Sequence, residues 1–140
     1  MKKALILSLV LMFVLTLFGC KKHYADPEPL GEADIYFYDN AHEIVEVNHT
    51  SLMEDYVYQT HRGVKPGDKP AIIAEKYILS DFTVESSLMD KGTPATLANI
   101  SGVAHKDISV DFKVNGTKYS LVFTTENDTI QVITLYSSKE

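Results

Sequence analysis

One cysteine, five histidines and a surplus of carboxylates are the residues of this chain best equipped for chemistry. Their spacing decides what each could do. His42-Glu43-Ile44-Val45-Glu46 carries the first two residues of the H-E-x-x-H zinc motif, but Glu46 stands where the second histidine belongs. That motif also needs a helix to bring both ligands onto one face, whereas this segment reads as a strand. His23, His49, His61 and His105 are scattered without ligand spacing, so no metal site is expected. The 19 acidic residues outnumber the 13 basic ones, yet spacing alone marks no carboxylate pair for acid–base work. There is no G-x-S-x-G elbow, no P-loop and no G-x-G-x-x-G. The chain is therefore read as a non-enzyme with no catalytic residue and no cofactor.

Cys20 is the sole cysteine, which excludes a disulfide within the chain. It follows a short basic start, Met1-Lys2-Lys3, and an apolar run from Ala4 to Phe18. That run is shorter than the roughly 20 residues a membrane-spanning helix needs, and it fits the apolar core of a secretory signal. Leu17-Phe18-Gly19-Cys20 resembles the lipobox of bacterial lipoproteins. The resemblance implies a diacylglycerol on the Cys20 thiol and cleavage between Gly19 and Cys20. A lipidated thiol cannot act as a nucleophile. Residues 1–19 are thus expected to be a signal peptide, residues 20–32 a lipidated tether, and residues 33–140 a single domain on the extracytoplasmic face of the cell membrane. Loss of Lys2 and Lys3 with the signal takes the formal charge from −6 to −8. Nucleic acid, which selects a basic patch, is not an expected partner.

The elements that would position any site are clearest at the C-terminal end. Ile108, Val110, Phe112 and Val114 alternate with Ser109, Asp111 and Lys113, as in a strand with one buried face. Asn115-Gly116 then supplies a two-residue hairpin turn, because both positions accept positive φ. That turn pairs Val114 with Thr117, Phe112 with Tyr119, Val110 with Leu121 and Ile108 with Phe123. A second turn at Asn127-Asp128 would pair Phe123 with Val132, Leu121 with Thr134 and Tyr119 with Tyr136, which puts Ile133 and Leu135 on the opposite face. An earlier hairpin is expected from Ile35–Tyr38 and Glu43–Val47 around Asp39–His42. Thr50–Asp55 is read as a turn, and Tyr56, Tyr58 and Thr60 as one side of a short strand. Asp68 looks like a helix cap with Pro70 in the first turn. Ile72, Ile73, Tyr77 and Leu79 would form that helix's apolar stripe, with Glu75 and Lys76 facing out.

Thr60-His61-Arg62-Gly63-Val64-Lys65-Pro66-Gly67-Asp68 and the helix after it resemble a motif of small Gram-positive envelope lipoproteins. In those the pattern is T-x-R-G-[IV]-K-x-G-D followed by a short amphipathic helix. Lys69 replaces their serine and Ile78 the glycine after Tyr77. The pattern is similar in turn to the helix-on-sheet units of β-lactamase-inhibitory-protein-like domains. The resemblance implies a helix packed on an antiparallel sheet and an interaction role. The motif residues have a structural reading of their own. Gly63 and Gly67 allow a tight entry into the helix, Asp68 caps it, and Arg62 pairs with an acidic neighbour.

Together these observations predict an α+β fold, with one main helix (Asp68 to Leu79) on an antiparallel sheet that ends in a three-stranded meander. The expected function is a non-catalytic protein-binding or inhibitory module. It would be held on the membrane by its lipid and directed at an envelope or extracellular protein. An assembly or scaffolding lipoprotein of an envelope complex is the alternative. A small-ligand or metal-binding lipoprotein is a third reading, and would need a concave pocket lined by Tyr36, Tyr38, Tyr56 and Tyr58 or two histidines within about 4 Å of each other.

Overall fold

Two antiparallel sheets account for most of the regular secondary structure in the computed structural model, which describes residues 26–45, 51–53 and 58–138. The signal, Gly19, Cys20, the start of the tether and residues 46–50 and 54–57 lie outside the described residues. The first sheet has three short strands. β1 (Phe37–Tyr38) lies between β2 (Ile44–Val45) and β4 (Gln59–Thr60). The second has six strands in the order β3-β9-β8-β7-β5-β6. They are β3 (Ser51–Met53), β5 (Thr83–Ser86), β6 (Met89–Pro94), β7 (Lys106–Val114), β8 (Thr117–Glu126) and β9 (Thr129–Ser138).

The β7–β8 hairpin pairs residue for residue as the alternation and Asn115-Gly116 require, from Ile108 with Phe123 to Val114 with Thr117. Asn115 and Gly116 both adopt positive φ, 50° and 82°. Asn127 and Asp128 form the next turn in the same way, at 54° and 57°. Beyond that turn the expected register is overturned. A bulge in β9 at Gln131 pairs Thr125 with Ile130 but Thr124 with Val132, so Phe123 meets Ile133 and Leu121 meets Leu135. One extra residue reverses the faces of everything after it. Ile133 and Leu135 are therefore core residues, 0% and 5% exposed. Their burial gains more apolar area than Thr134 and Tyr136 could supply in the same places.

The expected main helix is also overturned, and with it the α+β class: the domain is mostly β. α1 runs only from Ile72 to Lys76. Gly67, at φ +95°, makes a turn with Pro66 in which the Asp68 N–H bonds the Lys65 carbonyl. The Asp68 carboxylate in turn accepts the Lys65 N–H at 3.0 Å. Asp68 thus closes the turn before the helix and does not cap it; Ala71 stands at the N-cap. At the far end Tyr77 becomes extended, at φ −130°. Its ring leaves the helix to pack edge-on against Phe82 and Phe123, with centroids 5.5 and 5.7 Å away. The apolar stripe is real but shorter than expected, with Ile73 and Tyr77 fully buried and Ile72 half-buried. The stretch from Thr93 to Lys106 holds a second short helix, α2 (Leu97–Ile100), capped reciprocally by Thr96 and Asn99.

The early hairpin exists as β1 and β2, but Ile35 belongs to a 3₁₀ turn over Glu32–Ile35. Phe37, Val64, Ile73, Tyr77 and Phe82 pack on the inner face of the large sheet, formed by Val84, Ile108, Leu121, Phe123, Ile133 and Leu135. No helix among the described residues is long and apolar enough to cross a membrane.

Candidate functional site

Arg62 is the most fully engaged of the motif residues. Its Nε and Nη2 donate to the two Asp34 oxygens at 2.8 and 3.0 Å. Nη1 donates to the carbonyls of Glu28 at 2.6 Å and Lys76 at 3.1 Å, and Nη2 to that of Pro29 at 3.1 Å. These contacts match the five N–H donors of a guanidinium. The group also lies over the Tyr77 ring, 4.7 Å from its centroid. The hydrogen bond to Asp34 is the main cause of a pKa raised above the usual arginine value. Asp34 accepts one bond more, from the Gly31 N–H at 2.8 Å. Arg62 therefore ties the incoming segment Glu28–Pro29 to the 3₁₀ turn, the end of α1 and the core. A cavity of about 310 Å³ lies beside it, lined by Glu28, Glu32, Asp34 and His61 among others. Gly63 and Gly67 take positive φ, +81° and +95°, as turns on either side of Val64. Arg62, Gly63, Gly67 and Asp68 are thus each engaged in the hydrogen bonds or turns of the fold.

Two histidines that are unrelated in sequence do meet. β1 pairs with β2 on one side and β4 on the other, so the β1–β2 turn and the residue after β4 converge. His42 stacks on Tyr38 at 5.0 Å between centroids and lies 5.4 Å from His61, which is 5.3 Å from Tyr38. His61 Nδ1 is buried without a hydrogen-bond partner in the protein. Such an atom carries a desolvation cost of about 1–3 kcal/mol. The Tyr38 hydroxyl donates to the Ala33 carbonyl at 2.9 Å. Burial first, and then the Asp34 charge, raise its pKa, so it stays a phenol. The tyrosines do not form one patch. Tyr38 is buried among these rings, Tyr58 is half-buried against the core, Tyr36 is exposed, and Tyr56 lies outside the described residues.

The third feature is the outer face of the large sheet. Strand pairing lays Thr83, Ser109, Val122 and Thr134 in one row across it. Glu85, Asp107, Thr124 and Val132 form the next row, and Asp111, Ser120 and Tyr136 the one on the other side. The face is a shallow cleft of about 540 Å³. It is bordered by four carboxylates, Asp81, Glu85, Asp107 and Asp111, against one lysine, Lys91. The Thr124 hydroxyl donates to Asp107 at 2.7 Å. The Ser120 hydroxyl, followed by Lys118 at 3.1 Å, holds the Asp111 carboxyl below its usual pKa. No histidine or cysteine borders the cleft. What the cleft offers is a set of acceptors and hydroxyls in which four carboxylates face Lys91, with Lys118 paired to Asp111.

Alternation along β7 and β8 already placed Ser109, Asp111 and Lys113 opposite the core. The joining of β5 to β7, which completes the cleft, left no local signal. The His42–His61 contact was equally hidden, because it depends on the pairing of three two-residue strands. No family model, curated protein or solved structure matches the chain. Among the described residues no group of three or more His, Cys, Asp or Glu side chains is arranged to hold a metal ion.

Proposed function

We propose that this chain is a lipid-anchored extracytoplasmic binding module, which docks a basic, extended segment of an envelope or extracellular protein on the outer face of its six-stranded sheet. The observation that carries the reading is the cleft itself. One face of the sheet is filled by the core; on the other the described residues leave a cleft edged by four carboxylates and Lys91, with Lys118 paired to Asp111. An extended lysine- or arginine-rich segment would meet opposite charge there, and complementary charge directs both encounter and choice of partner. Thr83 and Ser109 bond one another and Thr124 donates to Asp107, so these hydroxyls would meet it as acceptors. Attachment through Cys20, expected from Leu17-Phe18-Gly19-Cys20, would keep the module at the membrane surface.

The test is cross-linking capture from intact cells, with the wild type beside Glu85→Lys/Asp111→Lys and Cys20→Ala. Both charge-reversed positions are exposed, and unchanged far-ultraviolet circular dichroism would show that the fold is kept. The wild type should capture a defined partner whose cross-linked peptide is basic. The doubly reversed variant should lose it, and Cys20→Ala should leave the membrane fraction. Capture that ignores the charge reversal would move the docking site elsewhere. A hydrolase activity abolished by one point mutation would overturn the non-catalytic reading.

A further inference from the structure

The histidine pair lies apart from the sheet cleft, and we propose that His42 and His61 form a two-imidazole site for a divalent first-row transition-metal ion, taking Cu²⁺ more tightly than Zn²⁺. Neither the lipoprotein reading nor the docking cleft requires it.

The site is built by the small sheet. β1 sits between β2 and β4, with Tyr38 paired to Ile44 on one side and Gln59 on the other. The turn that carries His42 is held by one residue, Asp39. Its carboxylate accepts the N–H groups of Ala41 and Glu43, both at 2.9 Å. Its carbonyl accepts the His42 N–H at 3.0 Å and the Gln59 side-chain amide at 3.2 Å. Within that turn His42 takes φ +64°, a conformation that glycine or asparagine adopts at lower cost. The turn holds the His42 ring against both Tyr38, on which it stacks, and His61.

The spacing suits a shared ion. A metal–nitrogen bond of about 2.0–2.1 Å plus the ring radius puts an imidazole centre roughly 3.2 Å from the metal, so two imidazoles at 90–120° have centres about 4.5–5.5 Å apart. The observed 5.4 Å falls inside that range. Rotation about χ2, a soft torsion in histidine, aims the nitrogens. His61 already holds one buried ring nitrogen that no protein group engages, and a neutral imidazole offers a lone pair there. Tyr38 is the wall of the site and not a ligand, because its hydroxyl is committed to Ala33. With two nitrogen ligands and water in the remaining positions, affinity follows the order in which Cu²⁺ exceeds Zn²⁺.

The experiment is titration of the full chain, purified in detergent micelles, with CuCl₂ and then with ZnCl₂, read by calorimetry and by electron paramagnetic resonance for Cu²⁺. One Cu²⁺ per chain should bind with a two-nitrogen signature. His42→Asn, which keeps a residue suited to positive φ, and His61→Gln should each weaken binding at least about tenfold and remove that signature. His105→Ala should change neither, and unchanged far-ultraviolet circular dichroism in all three variants would show that the fold survives. Retention of the two-nitrogen signature in His42→Asn would overturn the site, as would its loss only on changing His23 or His49. Weak uptake of several ions with no histidine dependence would overturn it equally.

Discussion

Arg62 and Asp34 have side chains only 12% and 4% exposed, and their pairing shows how one residue can hold several segments. Removing either partner leaves a buried charge facing unsatisfied oxygens or N–H groups, which costs about 3–5 kcal/mol in such pairs. Arg62→Met should therefore lower the urea unfolding free energy by about that amount. It should also expose the peptide bonds around Glu28 to protease, since the guanidinium donates to the carbonyls of Glu28 and Pro29. A loss below about 1 kcal/mol would reduce the clamp to a surface contact. Tyr77 provides a pH signature of the core. Burial is the main cause that raises its pKa well above the usual tyrosine value, against the opposing bond to Thr60. Because the folded pKa is raised, the stability it contributes is complete below about pH 10, where the unfolded tyrosine is still protonated, and is lost as pH rises beyond that. Tyr77→Phe should cost about 1 kcal/mol at neutral pH through the lost 2.9 Å bond to Thr60. It should also flatten the alkaline fall in melting temperature, and an unchanged alkaline limb would place the ionisation elsewhere.

At the scale of elements, the bulge at Gln131 decides which side of β9 is core. Ile133→Ala should cost about 2–5 kcal/mol and Val132→Ala well under half of that, measured by chemical denaturation. The opposite ranking would restore the unbulged register. Phe123 is fully buried whereas Phe112 is half-buried and stacks on Tyr119 at 5.8 Å. Truncating Phe112 should therefore cost markedly less than the about 3–5 kcal/mol expected for Phe123→Ala. The same comparison shows what the sequence could and could not tell. The pairing of β7 with β8 was legible from Ile108 to Phe123, because a two-residue turn with positive φ and strict alternation leave one register. The bulge was not, since Gln131 has no local feature that marks it as an extra residue. The helix was overestimated for a related reason. Asp68 and Pro70 are good helix-start residues, but Pro66-Gly67 binds Asp68 into a tighter turn. Tyr77 then leaves the helix because its ring is worth more inside the core than its backbone is in another turn. The candidate sites were harder still to see: β1, β2 and β4 are two residues long each, too short for periodicity, and only their pairing brings His42 to His61.

For the molecule as a whole, two regions answer different physical demands. The Arg62 clamp holds the incoming chain at Glu28 and Pro29 to the small sheet and α1, so a lipid on Cys20 would have only about eight residues of slack. At no more than about 3.6 Å per residue, the domain would sit within about 30 Å of its anchor. A net charge of −8 after loss of Lys2 and Lys3 would push such a domain away from anionic head groups, while the short tether would prevent it from leaving. Held at that distance, the outer face of the large sheet would meet a basic partner through charges exposed to solvent. Exposed charges are screened over about 10 Å at about 0.1 M salt and over about 3 Å at about 1 M. Binding to the open face should therefore weaken at least about tenfold between about 0.05 and 0.5 M salt, mainly through a slower association rate. Surface plasmon resonance on the anchored protein, with a synthetic peptide alternating lysine and threonine as analyte, would measure both. A salt-independent association rate, or equal binding of the matching glutamate–threonine peptide, would mean that the carboxylates around Asp107 and Asp111 do not select the partner, and that the hydroxyl rows between them recognise it by shape.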